Sequence, residues 1–434
     1  MIEDQKGLIL NDDFRAVLDI LENSRESLFI TGRAGTGKST LLQLFRNTTR
    51  KKIVVLAPTG VAALNVKGQT IHSFFGFPPR PLSREDIKKR RFRKLYENLE
   101  VLVIDEISMV RADLLDNIDW FLRVNRDDDR PFGGVQLALF GDLFQLPPVV
   151  ASAVEKQLFS TYYDSPYFFS SDVIKHDMDL QILELQHVYR QEERRFLRLL
   201  EAVRLNRADI DELEELNVRH LPQFQAEDSY ITLSARNNTV DAINQRELAR
   251  ITDPGQWYQA TIGGQFNPML YPTEAQLLLK TGAQVMFLKN DPEKQYVNGT
   301  IGKITKLDYE EIEVTVREGG EERKITVVPV EWEVVKYKTA EDDPKKIETE
   351  VVGTFKQFPL KAAWAITIHK AQGKTFDRVI IDMGNGAFEH GQTYVALSRC
   401  RTLQGIILKQ ALRRRDILTD ERIVEFYEQF RRFG

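Results

Sequence analysis

The sequence predicts an α/β protein with two parallel-sheet domains, a small insertion in the first domain and a β-rich, barrel-like insertion in the second. Short apolar segments alternate with helical patterns early in the chain, at LFI from Leu28, IVVLAP from Ile53, VLVIDE from Val101 and QLALFGD from Gln136. A second such series comprises YITL from Tyr230, WAITIH from Trp364, RVIIDM from Arg378 and GIILK from Gly405. Strands separated by helices indicate parallel sheets covered on both faces.

The segment between Gly282 and Lys338 has a different pattern. β-branched residues are dense there, and the dipeptides Asn298-Gly299 and Gly319-Gly320 predict tight hairpins, so we expect antiparallel strands. The predicted segments are 1–64 and 98–178 for the first domain, 65–97 for its insertion, 179–254 and 363–434 for the second domain, and 255–362 for the β-rich insertion. The last helical pattern, ILTDERIVEFYEQFRRF, is expected to pack on the second domain.

Composition limits the classes of function. The formal net charge is −4, so a nucleic-acid backbone would have to meet a local concentration of basic groups. One such stretch runs from Arg80 to Lys94, and a solvated helix face is the alternative interpretation. A single cysteine, Cys400, excludes internal disulfides and metal sites built on several thiolates. With no membrane-spanning run and no signal core, we expect a cytoplasmic protein without a membrane partner.

The segment GRAGTGKS, residues 32–39, matches the phosphate-binding pattern G-x-x-x-x-G-K-[ST] and stands between a predicted strand and a predicted helix. Glycines allow backbone N–H groups to turn toward phosphates at the start of a helix. Lys38 is expected to reach the β- and γ-phosphates, and Ser39 to ligate Mg²⁺. The predicted nucleotide contacts of this loop are Gly35, Thr36, Gly37, Lys38, Ser39 and Thr40.

Asp105 and Glu106 end the apolar segment VLVIDE, at the edge where parallel sheets bind ligands. Asp105 suits the outer sphere of Mg²⁺, and Glu106 suits a base that activates water; a helix cap is the alternative. Arg190 and Arg399, in the second series, are candidates for stabilising the transition state of phosphoryl transfer. If they reach the nucleotide, it lies between two domains, and surface ion pairs are the alternative.

The ordered motifs resemble those of superfamily-one helicases. Besides the phosphate loop these are LAPTGVAA, GQTIHSFFG, VIDEISM, FGDLFQLPPV, AITIHKAQGKT and YVALSRC, which span residues 28 to 402. The segment LELQHVYRQEERRFLRLLEAVRLN resembles the signature of the petite-integration-frequency (PIF) helicases. This resemblance implies two RecA-like domains, ATP and Mg²⁺, and 5′-to-3′ movement on single-stranded DNA. It also implies action on duplexes, forks, RNA–DNA hybrids and G-quadruplexes, in replication, repair, recombination and telomere maintenance.

The resemblance also implies residue roles. Gln145 would sense the γ-phosphate, while Gly373 and Arg399 would contact ATP from the second domain. The implied strand contacts are Pro58, Thr59, Gly60, Thr70, His72, Phe74, Asn237, Thr367, His369 and Lys370. Hydroxyls, amides and lysine suit phosphates, and His and Phe can stack on bases. A buried histidine and a core aromatic residue are the alternatives for His72 and Phe74.

The sequence departs from the family pattern near its start. Phe14 stands where many relatives have a glutamine that recognises adenine, so loose nucleotide selectivity is expected, unless Gln5 substitutes. The flanking tails of larger relatives are absent, which suggests a minimal bacterial core, expected to be a monomer when free. Phe77, Pro78 and Pro79, before the basic stretch, are candidates for a duplex-splitting wedge, and a surface connection is the alternative.

Three functions are compatible with the sequence. The first is a translocating helicase, and the second is a translocase or annealing factor that does not separate strands. The third is a nucleotide-gated binding module whose hydrolysis only resets affinity. Stimulation of the ATPase by single strands separates the third from the others, and unwinding of a tailed duplex separates the first from the second.

Overall fold

The computed structural model describes residues 10–150, 152–225, 229–318, 321–343 and 345–431. Its first sheet is six-stranded, entirely parallel and ordered β3-β2-β4-β5-β1-β6. The strands are β1 (Ser27–Gly32), β2 (Ile53–Ala57), β3 (Gln69–Thr70), β4 (Val101–Ile104), β5 (Gln136–Phe140) and β6 (Leu180–Leu185). Every residue of β1, β4 and β5 is buried, as parallel strands covered on both faces require.

Helices cover both faces of this sheet. They are α1 (Asp12–Asn23), α2 (Lys38–Thr48), α3 (Gly60–Asn65), α4 (Ile71–Phe75), α5 (Lys94–Asn98), α6 (Ala112–Arg126) and α7 (Ala153–Tyr162). In α6 the residues Leu115, Ile118 and Leu122 recur at helical spacing and are fully buried. Asn11 begins α1, because its side-chain oxygen accepts the backbone N–H of Phe14.

The second sheet is also parallel and has the order β18-β7-β19-β20. Its strands are β7 (Ile231–Ser234), β18 (Ala365–Thr367), β19 (Val379–Asp382) and β20 (Ile406–Leu408). The remaining helices are α8 (Arg194–Arg204), α9 (Ile210–Asn217), α10 (Asn237–Arg250), α11 (Ile368–Ala371), α12 (Gln392–Ser398) and α13 (Glu421–Arg431). Two parallel sheets with helices confirm the predicted α/β fold class. No described helix is both long and apolar enough to cross a membrane.

Ten further strands, paired antiparallel, lie between α10 and β18 in the described part of the chain. They are β8 (Gln256–Gln259), β9 (Thr261–Gly264), β10 (Gln276–Leu279), β11 (Gln284–Phe287), β12 (Ile301–Leu307), β13 (Ile312–Glu318), β14 (Glu321–Val327), β15 (Val330–Thr339), β16 (Ile347–Gln357) and β17 (Leu360–Ala362). They form sheets ordered β14-β13-β12-β11-β17, β15-β16-β9 and β10-β8. The hairpin predicted at Asn298-Gly299 is wrong, because β11 and β12 are joined by residues 288–300. Gly319-Gly320 lies outside the described residues.

Three assignments from the sequence need correction. The sequence predicts β6 in the second domain, but it pairs in parallel with β1 along its whole length and belongs to the first sheet. It predicts β3 in the small insertion, but this strand pairs with β2 in the first sheet. It predicts the last helix, α13, on the second domain, but the described aromatic side chains of α13 pack on the first. Apolar periodicity identifies a buried face without identifying the surface that covers it.

The contact of α13 with the first domain is aromatic. The ring of Phe426 stacks on Phe169 with centroids 4.4 Å apart, and Tyr427 stacks on Phe144 at 5.1 Å. The Tyr427 hydroxyl lies 2.6 Å from Thr31 Oγ1, in the strand that leads into the phosphate loop. The end of the chain therefore stabilises the same strand that begins the nucleotide site.

We predict that Phe426→Ala lowers the free energy of unfolding by about 3–5 kcal/mol, because it leaves a cavity among buried aromatic rings. Tyr162→Ala is the control, since Tyr162 is 72% exposed, and it should change stability by no more than ~0.5 kcal/mol. Urea denaturation followed by fluorescence measures both. Equal effects of the two substitutions would contradict the packing of α13 on the first domain.

Candidate nucleotide and nucleic-acid sites

The phosphate loop connects β1 to α2. Gly35 and Gly37 have φ of +86° and +83°, a conformation that side chains other than glycine rarely adopt. Lys38 Nζ donates to the carbonyls of Gly32 at 2.7 Å and Arg33 at 3.1 Å. Burial lowers the pKa of Lys38, while Asp142 and Glu106 oppose that shift. The lysine is therefore held at the loop, in a desolvated place where a phosphate would be its strongest partner.

Asp105 and Glu106 follow β4 at the same edge of the sheet. Glu106 has a positive φ of 52°, and its Oε2 accepts a 3.2 Å hydrogen bond from Gln372 Nε2 of the second domain. Burial raises the pKa of both carboxyls, and Lys38 and Arg399 counteract this at Glu106. Asp105 and Ser39 offer a carboxylate and a hydroxyl oxygen, which fits Mg²⁺, an ion that keeps several waters and phosphate oxygens. No cluster of three metal-ligating His, Cys, Asp or Glu residues occurs in the described ranges.

Arg190 and Arg399 meet at this cleft from different segments. Arg190 packs closely against the phosphate loop: a Cβ added to Gly35 would lie 2.5 Å from the Cβ of Arg190. The Nη1 of Arg190 donates to the carbonyl oxygen of Ser398 at 3.1 Å. Arg399 ends α12 with its guanidinium bonded to Val395 O and Ser398 Oγ. Burial lowers the pKa of both arginines, and for Arg190 the charge of Arg399 adds to it. The alternative of surface ion pairs is therefore wrong for both.

Gln145 lies in a buried polar network close to Lys38 of the phosphate loop. Its Nε2 donates to Asp142 Oδ2 at 3.1 Å. Arg204, whose side chain is 1% exposed, faces Asp142 at 3.6 Å and Glu184 at 3.3 Å, and its guanidinium lies over the Phe144 ring at 4.4 Å. Glu184 and Arg204 belong to the signature segment, so this stretch supports the Gln145 loop from beneath.

The two domains also touch at residues that the sequence motifs do not identify individually. Tyr394 Oη, in α12, accepts the backbone N–H of Ala34 in the phosphate loop at 3.0 Å. His390 Nε2 lies 2.9 Å from Leu143 O, and a Cβ on the next residue, Gly391, would meet the carbonyl of Gln145. Gln372 is adjacent to the predicted site residue Gly373, and Tyr394 begins the motif YVALSRC. Their positions within sequence motifs are therefore the signal by which these two interdomain contacts could be found from the sequence.

Two aromatic residues, Phe14 and Tyr189, lie beside Gly37 of the phosphate loop. Phe14 is buried, and its Cζ would lie 3.0 Å from a Cβ on Gly37. Tyr189 is half exposed beside the same glycine, and its hydroxyl accepts from Asn11 Nδ2 at 3.1 Å. Phe14 has no polar group with which to distinguish adenine, so loose selectivity stays a prediction. Gln5 lies outside the described residues.

The predicted strand contacts follow a repeated local structure. Three threonines each begin a short helix by accepting a backbone N–H three residues further on: Thr59 after β2, and Thr70 and Thr367 as the last residues of β3 and β18. Because each hydroxyl oxygen acts as an acceptor in its cap, its O–H can still donate a hydrogen bond to a phosphate oxygen. Asn237, at the start of α10 after β7, is exposed, as is Lys370. The carboxyl ends of both sheets thus carry hydroxyl, amide and ammonium groups, of which Thr59, Asn237 and Lys370 are exposed and Thr367 is 6% exposed.

Two strand-contact predictions are changed by packing. Phe74 is 6% exposed and lies edge-on to Phe75, Tyr96 and Tyr337, so in this structure it is a core aromatic residue, and its role as a base-stacking residue stays a prediction. Gly60 is covered by the Leu270 side chain of the β-rich insertion, which a Cβ on Gly60 would strike. His72 is half-buried, with its pKa lowered by burial and by Arg111. His369 Nε2 lies 2.9 Å from Glu389 Oε2 at a partly exposed position.

The basic stretch from Arg80 to Lys94 is partly neutralised. Arg80 pairs with Asp86 at 2.8 Å, while Lys89 and Arg93 both pair with Asp127. Phe77 is buried and stacks on Phe75, so it belongs to the core and not to an exposed wedge. Pro78 and Pro79 are exposed.

Comparison with known proteins identifies the family. A model of the PIF1-like helicases matches residues 5–214. The ATP-dependent DNA helicase Pif1 of Bdellovibrio bacteriovorus is 32% identical over 97% of this chain and 92% of that protein. The chain belongs to the PIF1-like helicase family. PIF1 helicases of Emericella nidulans and Homo sapiens are each 34% identical, and the chain spans 62% of the length of each.

Solved Pif1 structures share the fold. Bacteroides sp Pif1 in complex with ADP-AlF4 superposes with a TM-score of 0.91 over 98% of both chains, at 36% identity. Bacteroides Pif1 bound to ssDNA superposes with a TM-score of 0.68, again over 98% of both chains at 36% identity. Since identity and coverage are the same, the lower score reflects a different arrangement of the same elements.

We predict that Arg204→Met destabilises the chain by about 3–5 kcal/mol, because it leaves buried carboxylates without their cation. Arg198→Met, on the same helix, is the matched control, since Arg198 is 55% exposed and makes only surface ion pairs, worth roughly 0–1 kcal/mol. Thermal and urea unfolding provide the comparison. If Arg204→Met were as stable as Arg198→Met, the buried network would not support the Gln145 loop.

Proposed function

We propose that this PIF1-like chain is an ATP-dependent DNA helicase that translocates on single-stranded DNA and unwinds duplexes. The observation that carries the proposal is the convergence of Lys38, Glu106, Arg190 and Arg399 from two domains on one phosphate loop. A cleft of this kind couples hydrolysis to domain closure, because a nucleotide completes contacts on both sides. The family's helicases and their complexes with ssDNA support DNA as the partner.

In the proposed mechanism Lys38 binds the β- and γ-phosphates, and the carboxylate of Glu106 orients and deprotonates the attacking water. Arg190 and Arg399 stabilise charge that develops on the transferred phosphoryl group, an effect worth ~10³–10⁵ in rate for a single arginine. Gln145 senses the γ-phosphate, and Gly373 contacts the nucleotide. Mg²⁺, held by Ser39 and Asp105, would neutralise phosphate charge. The remaining loop contacts are Gly35, Thr36, Gly37 and Thr40.

On the strand side, Pro58, Thr59, Thr70, His72, Asn237, Thr367, His369 and Lys370 are proposed to contact the backbone and bases. Gly60 joins them once Leu270 moves away. Tyr337 is a second contact of the β-rich insertion, since its hydroxyl accepts the backbone N–H of Val55 at 3.0 Å. Binding of a strand is therefore proposed to displace the insertion, consistent with the lower TM-score against the ssDNA-bound relative.

The finer features of the proposal come from the family resemblance. They are 5′-to-3′ polarity, action on forks, RNA–DNA hybrids and G-quadruplexes, and a monomeric free state. An additional proposal is that several nucleotides are hydrolysed at similar rates, because Phe14 offers the base only apolar contact.

We predict that Lys38→Ala abolishes ATP hydrolysis and that Arg399→Ala lowers kcat at least about 10³-fold with a smaller change in nucleotide affinity. Arg401→Ala is the matched control, because Arg401 is two residues away, 46% exposed and paired with Asp377 at 3.2 Å. Steady-state kinetics with and without single-stranded DNA, together with a fluorescent nucleotide for affinity, measure these effects. Wild-type turnover in Lys38→Ala would contradict the nucleotide site.

We predict that single-stranded DNA raises the ATPase rate well above a few-fold and that a duplex with a 5′ tail is unwound while one with a 3′ tail is not. Weak stimulation would favour the nucleotide-gated binding module. Strong stimulation without strand separation would favour a translocase or annealing factor. Parallel substrates with RNA tracks determine whether the chain prefers DNA.

A further inference from the structure

The carboxyl edge of the second sheet continues beyond the predicted strand contacts. Thr367 is the last residue of β18 and Asn237 begins α10 after β7, while β19 and β20 come next in the sheet order. Because the strands are parallel, the loops after β19 and β20 open on the same edge as the two contact loops. A strand that crosses the loops after β18 and β7 therefore meets the loops after β19 and β20 if it continues in that direction.

A cavity lies between those two loops. Its volume is about 330 Å³, and its lining includes Gly384, Asn385, Gly386, Gln410, Arg413 and Arg415. This volume is at the lower end of the range for small-molecule sites, ~300–1,000 Å³. It is large enough for one nucleotide unit.

The loops around the cavity are held in place by specific contacts. Gln410 bridges them, since its Oε1 accepts Met383 N at 3.0 Å and its Nε2 donates to Asp382 Oδ1 at 3.1 Å. Gly384 and Gly386 have φ of +58° and +118°, and a Cβ on Gly386 would strike the Asp416 carboxylate. The backbone at this place therefore requires glycine, as in loops that approach a ligand closely.

The charge of the cavity is mainly positive. Arg413 and Arg415 are exposed, and within the described part of the chain their guanidinium groups make neither an ion pair nor a hydrogen bond. Asp416 also lines the cavity, but its Oδ2 already accepts the Arg413 backbone N–H at 2.9 Å. Arg236, next to Asn237, brings a third guanidinium, with Nε 3.7 Å from a Cβ on Gly384. Arg236 thus connects the predicted strand contact to the cavity.

We propose that this cavity binds a phosphodiester of the single strand beyond Asn237, with Arg236, Arg413 and Arg415 as phosphate ligands. The proposal rests on the proposed function, since it extends the same DNA track. It predicts a longer binding site than the contacts after β18 and β7 would provide, with the additional affinity supplied by electrostatic contacts to the backbone.

The test is equilibrium binding of labelled oligodeoxythymidines of increasing length, without nucleotide, by fluorescence anisotropy. For the double variant Arg413→Ala, Arg415→Ala we expect about a ten-fold loss of affinity for long oligonucleotides and no change for those too short to reach the cavity. The salt dependence, measured as the slope of log K against log salt, should fall in magnitude by about 0.7, since the cavity neutralises one phosphate and each phosphate neutralised on a single strand contributes ~0.7.

The chain offers a matched control for this experiment. Arg414 lies between the two arginines, but its guanidinium binds Asn206 Oδ1 at 2.7 Å and Asn206 O at 2.9 Å. Arg414→Ala should therefore keep the wild-type length dependence. Unchanged affinity for short oligonucleotides shows that the double variant is folded.

The proposal would be overturned by an equal loss of affinity at all lengths, by no loss at any length, or by a loss confined to blunt duplex DNA. If inorganic phosphate completely displaced the oligonucleotides from the wild-type chain, the cavity would be assigned to a free anion, and the proposal would also be overturned. If the wild-type chain bound no oligonucleotide, the proposed function itself would be contradicted. If the wild-type chain bound oligonucleotides with an affinity independent of their length, only the cavity proposal would be contradicted.

Discussion

The buried guanidinium of Arg204 holds together the part of the molecule on which the nucleotide site depends. It faces Asp142 after β5 and Glu184 in β6, and it covers the ring of Phe144. The loop after β5, strand β6 and helix α8 are thus linked at one cation. A buried charge is costly unless it is paired, so these carboxylates and Arg204 constrain one another's positions. Gln145 donates a hydrogen bond to Asp142, so this network fixes the position of its side chain.

Above this network, positive charge is concentrated. Lys38, Arg190 and Arg399 lie within electrostatic range of a single loop, and burial lowers the pKa of each. Such an arrangement stores unfavourable interactions that a polyanion relieves. Because Arg190 and Arg399 come from segments outside the phosphate loop, we propose that relief of that repulsion also draws the two domains together. The bonds Gln372–Glu106 and Tyr394–Ala34 show that the domains already meet at this cleft.

The strand side uses a simpler device. A threonine at the end of a strand begins a short helix at three places, and the same edge of the second sheet continues to the cavity near Arg413. Parallel strands bring their carboxyl ends to one edge, so separate loops become one continuous surface. The β-rich insertion covers part of this surface through Leu270, which links access of a strand to the position of the insertion.

The sequence by itself determined the two parallel sheets, the phosphate loop and the acidic pair after β4, because these depend on local patterns: apolar runs, glycines at positive φ and residues at strand ends. It also brought Arg190 and Arg399 into consideration, but only the fold placed both on the loop. Tertiary structure alone decided that β6 joins the first sheet, that α13 packs there, and that Phe74 is buried. The physical reason is that periodicity indicates which face of a helix or strand is buried but not which surface covers it. That surface can be remote in sequence, as for Thr31 and Tyr427, whose hydroxyl groups meet although the residues are 396 positions apart.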